Sequence, residues 1–357
     1  MKTTQSLHRM LKTIGLIGLA LFCSVLIGSF FLLAAGFNPM EAYVSIVQGA
    51  FGSKTAITQT LCKATPLLLI GIAVAIAFKG SAFNIGGEGQ FYAGALGCVL
   101  CEFLVHDSGL PSVVVIPFCL LGAFVFGGLW GAIPGYLKAA RGSSEVVTSV
   151  MLSSIMVLLV KYLVGQGGPI AEPRGIYPET QEITQAAKLP YIIPGTRLHL
   201  GFVLALLAAV LVYLFLERTT LGYKIKATGL NAQAAEYAGI RIGMVTMSTM
   251  AVSGAIAGLA GGIEVLGTSW KLYAGLSPGY GYNAIAVALL GRLHPIGIVF
   301  SALLFGMLNT GSNQMARSIG IPSAISSILQ ALVLLFVVGF SVLEQKRFTL
   351  RKKEGTI

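Results

Sequence analysis

Apolar runs of about 20 residues recur along the whole chain, and this recurrence constrains the fold more than any other feature of the sequence. A run of that length crosses the hydrocarbon core of a bilayer as a helix, because in lipid every backbone N–H and C=O must be satisfied within the chain itself. A closed barrel would meet the same demand with alternating strands of about ten residues, and no such alternation is present. Only 10% of the 357 residues are charged and 55% are hydrophobic, whereas a soluble domain carries about 25% charge. The sequence therefore reads as an all-α integral membrane protein.

About ten transmembrane helices fit the apolar pattern, over 14–36, 64–78, 92–105, 113–133, 146–164, 199–216, 244–267, 283–290, 296–308 and 323–342. The first is too long for a signal-peptide core and lacks a cleavage site, so it reads as an uncleaved span. The net charge of +11 invites a nucleic-acid reading, but its distribution excludes one. With both termini cytoplasmic, roughly 16 Lys and Arg fall in inner segments and roughly seven in outer ones, as the positive-inside rule requires. Residues 1–357 form a single transmembrane domain on this reading. Its outer loop, 165–197, is rich in proline and unsuited to long helix. A basic cytoplasmic segment occupies 217–243, a basic tail occupies 344–357, and a surface helix is expected around 43–47.

Two interruptions suggest a task beyond spanning. The first is Phe83-Asn84-Ile85-Gly86-Gly87-Glu88-Gly89-Gln90-Phe91. Its glycines allow close approach or a sharp turn, while Asn84, Glu88 and Gln90 offer polar groups that lipid cannot satisfy. The second runs from Ser277 through Pro278, Gly279, Tyr280, Gly281 and Tyr282 to Asn283, followed at 291–295 by another Gly/Pro break. Short broken apolar segments in corresponding halves of a chain point to a transport site, so two related five-helix halves are expected. Phe83, Phe91, Tyr280 and Tyr282 offer aromatic faces to a solute; Asn84, Glu88, Gln90 and Asn283 offer hydrogen bonds. The competing reading is that the glycines only pack helices and Glu88 is solvated in a loop.

Other features are structural on their face. The five cysteines form no disulfide framework, and Cys98 and Cys101 lack the second pair and the histidines of a zinc site. Glu102, Lys161 and Glu264 fall near the outward ends of their spans, where pairing or snorkelling relieves them. Ser143-Ser144-Glu145 reads as hydroxyl capping of the fifth span. In the segment 217–243, Asn231 caps a short helix over 232–238 that Gly239 closes in the left-handed conformation, which suits either a partner-docking helix or an ordinary connector. Gly52-Ser53-Lys54-Thr55 lacks the glycine that a Walker A lysine follows, so no nucleotide site is assigned to this chain.

Three motifs in order resemble the permease subunit of bacterial ABC importers of the ribose, branched-chain amino acid and nucleoside type. They are Phe83 to Gln90; Gly222-Tyr223 through Asn231-Ala232-Gln233-Ala234-Ala235 to Gly239-Ile240; and Ala284 through Gly291-Arg292 to His294-Pro295-Ile296-Gly297. Ser277 to Tyr282, Leu290 to Pro295 and Glu145-Val146-Val147-Thr148 are most similar to the nucleoside branch. The resemblance implies a translocation subunit, itself no enzyme, for nucleosides or a related pentose-containing solute in the bacterial cytoplasmic membrane. It further implies coupling to an ABC ATPase subunit through Asn231, Gln233, Ala234, Ala235 and Gly239, with ATP and magnesium bound by that partner and no cofactor here. A second permease subunit, identical or not, and an extracytoplasmic substrate-binding protein complete the implied complex. Gln233 departs from the acid usual in the coupling motif, and Ser144, Ser153 and Ser154 depart from the amide and aromatic residues of the nucleoside branch. A permease for a simple sugar such as ribose and an ion-coupled secondary carrier are the alternatives; no deeply placed ionisable group favours the carrier.

Overall fold

In a computed structural model the residues described are 15, 18–19, 22–173, 176–322, 325, 327–333, 335–336 and 339. The basic N-terminus with Lys2, Arg9 and Lys12, the tail at 344–357, and parts of the expected spans at 14–36 and 323–342 lie outside them. The described secondary structure is helical throughout, apart from two isolated bridges, Glu179 with Tyr273 and Tyr191 with His199.

The helices are α1 (Phe22–Ala34), α2 (Pro39–Phe51), α3 (Lys54–Lys79), α4 (Gly87–Val105), α5 (Ser112–Arg141), α6 (Glu145–Val164), α7 (Gly201–Arg218), α8 (Thr220–Leu230), α9 (Ala232–Tyr237), α10 (Ile242–Glu264), α11 (Tyr280–Leu290) and α12 (Pro295–Ile319). Among the described residues six are long and apolar enough to cross a membrane: α3, α5, α6, α7, α10 with its continuation to Ser269, and α12. The pair α1 and α2, bent by 120°, makes a seventh if counted as one span. Helix α4 carries two buried carboxylates, Glu88 and Glu102, and α11 has only 11 residues. Both match apolar runs read from the sequence, yet neither meets the length and hydropathy of a free-standing span.

The chain divides into two compact units. One holds residues 1–60 and 307–357. Its core is Leu32, Ala42, Met315, Ile321 and Leu329. Asn38 caps α2 by accepting from the Met40 amide at 3.0 Å, and Ser45 bonds Ser318 at 2.8 Å. The sequence ended the ninth span at 308, because 309–314 turns polar. In the structure α12 continues to Ile319, since there Gly311 lies against Ile46 and Gln314 against Gly49.

The other unit, residues 61–306, is built around α4. Every residue of α4 from Gly87 to Val99 is buried, and α10, α5, α6 and α11 pack around it. Helices α5 and α10 interlock without side chains between them: a Cβ at Gly254 would meet the backbone of Gly127 and Gly131, and one at Gly258 the backbone of Ala123 and Gly127. Such small-residue seams bring helices together where lipid offers no hydrophobic drive.

Segment 176–200, irregular apart from the short turn Gln185–Ala187, lies along residues 265–276. Thr180 donates its amide to Leu272 O, Ile183 to Trp270 O and Leu189 to Leu266 O, each at 2.9 Å. Lys271 joins Glu179 at 2.9 Å and Glu172 at 3.5 Å. Glu102, fully buried, accepts from the Thr184 amide at 2.8 Å and contacts His106 at 3.1 Å, which is the pairing expected for it. Lys161 is exposed. Ser144 makes no cap; Glu145 instead pairs with Lys138 at 2.9 Å across the turn at Gly142. The carboxylate reaches the helix end better than the hydroxyl does, so capping by Ser144 is corrected to an ion pair.

Candidate functional site

The first interruption is a climb. Helix α3 ends at Lys79, Ser81 turns the chain at φ 53°, and α4 begins at Gly87 beside Ile70. Ile70 lies nine residues up α3, or about 14 Å at 1.5 Å per residue. The loop expected beyond the end of a span thus runs back along it.

Asn84 fixes this climb. Its Oδ1 accepts from the Gly86 amide at 2.9 Å and from Gln90 Nε2 at 3.0 Å, and its Nδ2 donates to Gln90 Oε1 and Ser253 Oγ, both at 2.9 Å. Ser253 Oγ in turn donates to Ala73 O on α3 at 2.7 Å. All four hydrogen-bonding positions of a primary amide are occupied, and Asn84 is only 1% exposed. From α6, Ser149 Oγ accepts from the Ile85 amide at 3.3 Å and Ser153 Oγ from the Gly89 amide at 3.1 Å. These are orphan donors at a helix start, which a buried helix must satisfy by other means than water.

The second interruption meets the first. Gly279 takes the left-handed conformation, and Ser277 Oγ caps the turn by accepting from the amides of Gly279 at 3.1 Å and Tyr280 at 2.9 Å. Tyr92 Oη accepts from the Ser277 amide at 3.0 Å. Glu88 Oε2 then accepts from the Gly281 amide at 2.7 Å, joining residues 193 apart in sequence. A Cβ at Gly281 would sit inside the backbone of Glu88, so only glycine lets α11 start here. Tyr280 is buried with its ring 6.0 Å from Phe91, and Lys63 of α3 donates to its hydroxyl at 3.0 Å. Helix α11 ends on two successive left-handed residues, Arg292 at φ 54° and Leu293 at φ 55°, before Pro295 opens α12.

Of the residues expected to line a path, Asn84, Glu88, Gln90, Phe91 and Tyr280 are buried around this junction. Tyr282 is exposed and Asn283 half-buried on α11. Phe83 stands apart, exposed and edge-on to Phe78 at 5.2 Å. The sequence did not single out Ser149, Ser253, Tyr92 or Lys63, and it marked Ser277 only as the start of the second interruption. Hydroxyls inside apolar helices were the available signal, Ser149 and Ser153 being four apart on one helix face.

The basic segment folds as two short helices. Thr219 caps α8 by accepting from the Gly222 amide at 3.0 Å, and Asn231 caps α9 by accepting from the Ala234 amide at 3.0 Å. Helix α9 closes with the Ile240 amide on Ala235 O at 3.0 Å and the Gly239 amide on Glu236 O at 2.9 Å, Gly239 having φ 81°. That is a Schellman closure, in which a left-handed glycine satisfies the last carbonyls. Ala235 is buried, whereas Asn231, Gln233, Ala234 and Gly239 are exposed. Leu230 and Tyr237 are 88% and 95% exposed. A groove of about 770 Å³ runs between Glu217–Thr220, α8 and α9, with Arg218 and Lys224 on its wall.

The two sites are mechanically joined. Ser81 Oγ donates to Gly229 O of α8 at 3.0 Å, and a Cβ at Gly229 would collide with Lys79 O. From α9 a continuous path of contacts therefore runs through α8 to residues 79–81, up the Asn84 climb, and across Glu88 to Gly281.

The model of the family described as "Branched-chain amino acid transport system / permease component" matches residues 56–338. A guanosine ABC transporter permease protein of Bacillus subtilis is 34% identical over 94% of this chain and 96% of its own. A nucleoside ABC transporter permease protein of Lactococcus lactis is 33% identical over 91% of both chains. A glucose ABC transporter permease protein of Haloferax volcanii is 32% identical over 90% of this chain and 86% of its own. No solved structure matches the chain.

Proposed function

This chain belongs to the branched-chain amino acid transport system / permease component family, and from that premise we propose that it is one transmembrane half of an ATP-driven importer of nucleosides. The two nucleoside-type relatives support that solute class. The glucose relative supports a second reading, import of a simple sugar. The ion-coupled alternative gives way to family membership, and the chain acts as a transport subunit rather than an enzyme.

The observation that carries the mechanism is the meeting of the two broken segments at Glu88 and Gly281. Broken helices that meet inside a membrane protein bring backbone polar groups to a solute path. On this reading Phe91, Tyr280 and Tyr282 face a base, while Glu88 and Asn283 face the ribose. Asn84 and Gln90 hold the wall, and Phe83 guards its cytoplasmic foot. Helix α9, exposed and rigidly closed, is the docking element for a separate ATPase subunit that binds ATP and magnesium. Asn231, Ala235 and Gly239 shape it, and Gln233 and Ala234 contact the partner. ATP-driven displacement of α9 would pass through α8 to the break at 80–86 and shift the path between outward and inward access.

The remaining topology follows the same reading: about ten spans in two related halves of five, both termini cytoplasmic, and segment 165–197 facing a substrate-binding protein outside the bacterial inner membrane. A second permease subunit, alike or distinct, completes the pathway, and membrane lipid surrounds it.

The test is to purify the assembled complex and measure which nucleosides or sugars stimulate its ATPase in the presence of the binding protein. Stimulation by nucleosides is expected; stimulation by glucose or ribose alone would favour the sugar reading. Replacing Gly239 with Glu should abolish ATPase docking while the protein still inserts. Normal transport after that change would remove α9 from the mechanism.

A further inference from the structure

A groove of about 720 Å³ lies within the unit of residues 1–60 and 307–357, between α1, α2, α12 and the helical residues 327–333. Val25, Met40, Ile46, Val47, Leu308 and Leu329 line it. Helix α1 comes close to its neighbours at Gly28, where a Cβ would meet Leu329 and the Tyr43 hydroxyl. Tyr43 Oη and Ser29 Oγ donate to Val25 O at 2.8 and 2.7 Å, and Ser24 Oγ donates to Leu332 O at 3.3 Å. With these hydroxyls turned to backbone carbonyls, the groove presents an apolar surface. At one end the chain turns at Gly36, φ 82°, and α2 leaves α1 at 120°. Asn38 and Pro39 line that end, and Asn38 Nδ2 donates to the exposed Glu41 carboxylate at 3.1 Å.

The surface around the groove says what covers it. Phe22, Leu26, Phe30 and Leu33 of α1 and Met40, Val44, Val47 and Phe51 of α2 are all exposed, and an apolar face of this extent is a membrane or subunit contact. Helices that meet in lipid do so through small residues. That is how the other side of α2 meets α12: Ala42, Ser45 and Gly49 are buried, and a Cβ at Gly49 would meet Gln314 and Gly311. The outer face of α2 carries bulky side chains instead, so it suits lipid rather than another helix. An empty apolar groove would forfeit dispersion contacts along its walls, and water finds few partners there. A methylene group takes roughly the volume of a water molecule in its liquid, about 30 Å³, so an acyl chain of about 16 carbons fills about 480 Å³. The groove has room for one such chain and not for two. No hydrophobic drive draws a chain out of the bilayer, so a preference for one lipid must come from its headgroup. The Glu41 carboxylate, held by Asn38, attracts an ammonium and repels a headgroup whose only charge is its phosphate.

We propose that this groove holds one acyl chain of a membrane phospholipid with an amine headgroup, its ammonium on Glu41 and its chain between α2 and residues 327–333. The proposal goes beyond the transport reading and is independent of the solute path and of α9. It rests on the membrane-spanning character of the chain alone.

The assembled complex is purified from membranes of phosphatidylethanolamine and phosphatidylglycerol and exchanged into lipid-free detergent, and the phospholipid that it retains is quantified by mass spectrometry. Wild type should retain phosphatidylethanolamine in excess over its share of the membrane. Val47→Trp, at a side chain 59% exposed, fills the groove and should release one molecule of that lipid for each copy of this chain. Glu41→Gln keeps an acceptor for Asn38 and removes the charge, so the enrichment for the ethanolamine headgroup should fall about fivefold, the effect of one exposed charge pair. Equal retention by wild type and Val47→Trp overturns the site, and unchanged enrichment in Glu41→Gln overturns the headgroup assignment. Photoreactive benzoylphenylalanine in place of Val47, with the complex in liposomes, reports the occupant directly. A cross-link to phospholipid supports the proposal; a cross-link to a permease subunit overturns it. If Val47→Trp fails to assemble, Met40→Trp, at a side chain 72% exposed, decides the matter in its place.

Discussion

Residues 80–86 and residues 277–281 both interrupt helix within one unit, and they are held by different means. In the first, the Asn84 amide is saturated by Gln90, Gly86 and Ser253, and Ser253 ties it on to α3. In the second, one carboxylate oxygen holds the Gly281 amide, one hydroxyl caps the turn, and the helix beyond it ends on two left-handed residues. A network in which every member is satisfied has little freedom to rearrange. A helix held at its start by three separate hydrogen bonds, from the Gly281 amide to Glu88, the Ser277 amide to Tyr92 and Lys63 to the Tyr280 hydroxyl, with left-handed residues at its far end, has more freedom to exchange arrangements than a closed network. The first break therefore behaves as a strut and the second as the part that yields.

The comparison can be broken at the strut. Asn84→Ala leaves the Gln90 amide and the Gly86 amide without these partners and removes the donor to Ser253, which keeps its bond to Ala73, and should cost about 4 kcal/mol, the loss of several buried hydrogen bonds at once; thermal unfolding of the detergent-solubilised protein reads it. A shift of under a degree would mean that the network is not what fixes the climb. Gly281→Val forces a side chain into the Glu88 backbone and should cost about 3 kcal/mol by overpacking, with transport lost even where the protein survives. Glu88→Gln keeps an oxygen for the Gly281 amide and removes the charge, so stability should change by about 1 kcal/mol. A larger loss of transport than of stability would mark α11 as the yielding element. Ser153→Ala removes one acceptor from the start of α4 and should also cost about 1 kcal/mol. Leu293→Gly should be the mildest change, neutral or stabilising by under about 1 kcal/mol, because glycine accepts φ 55° without the penalty that leucine carries.

Beyond the span-length helix that ends at Ser269, the contact of Lys271 with Glu179 holds the lysine above its ordinary range, the hydrogen bond to Glu179 being the main cause. A raised value means that this contribution is fully present below the unfolded value of 10.5 and is lost only as pH rises past it. Segment 176–200 should therefore stay seated on 265–276 from pH 6 to pH 9, as limited proteolysis would report. This partly exposed pair itself is worth about 1 kcal/mol or less.

Local rules carried the sequence reading as far as local causes reach. Asn231 and Gly239 bound α9 because caps are set by residues within one turn. The apolar runs located a helix at each expected span that is fully described, since burial in lipid and burial in protein demand the same composition there. The polar extension of α12 beyond 308 and the climb at 80–86 were not legible. In each the polar groups are satisfied by residues distant in sequence, such as Ser318 for Ser45 and Ser253 for Asn84. Glu88 was legible as an anomaly but not as a bond, because its partner is a backbone amide on another helix, and glycine carries no sign of what will approach it.

The contact of Gly229 with Lys79 has one more consequence. Because backbone meets backbone there, with no side chain between to bend or rotate, the linkage from α9 to residue 80 has no slack. A methyl group added at Gly229 would act as a shim, displacing α8 even at rest, so Gly229→Ala should disturb transport while leaving the residues of α9 and of both helix breaks chemically unaltered.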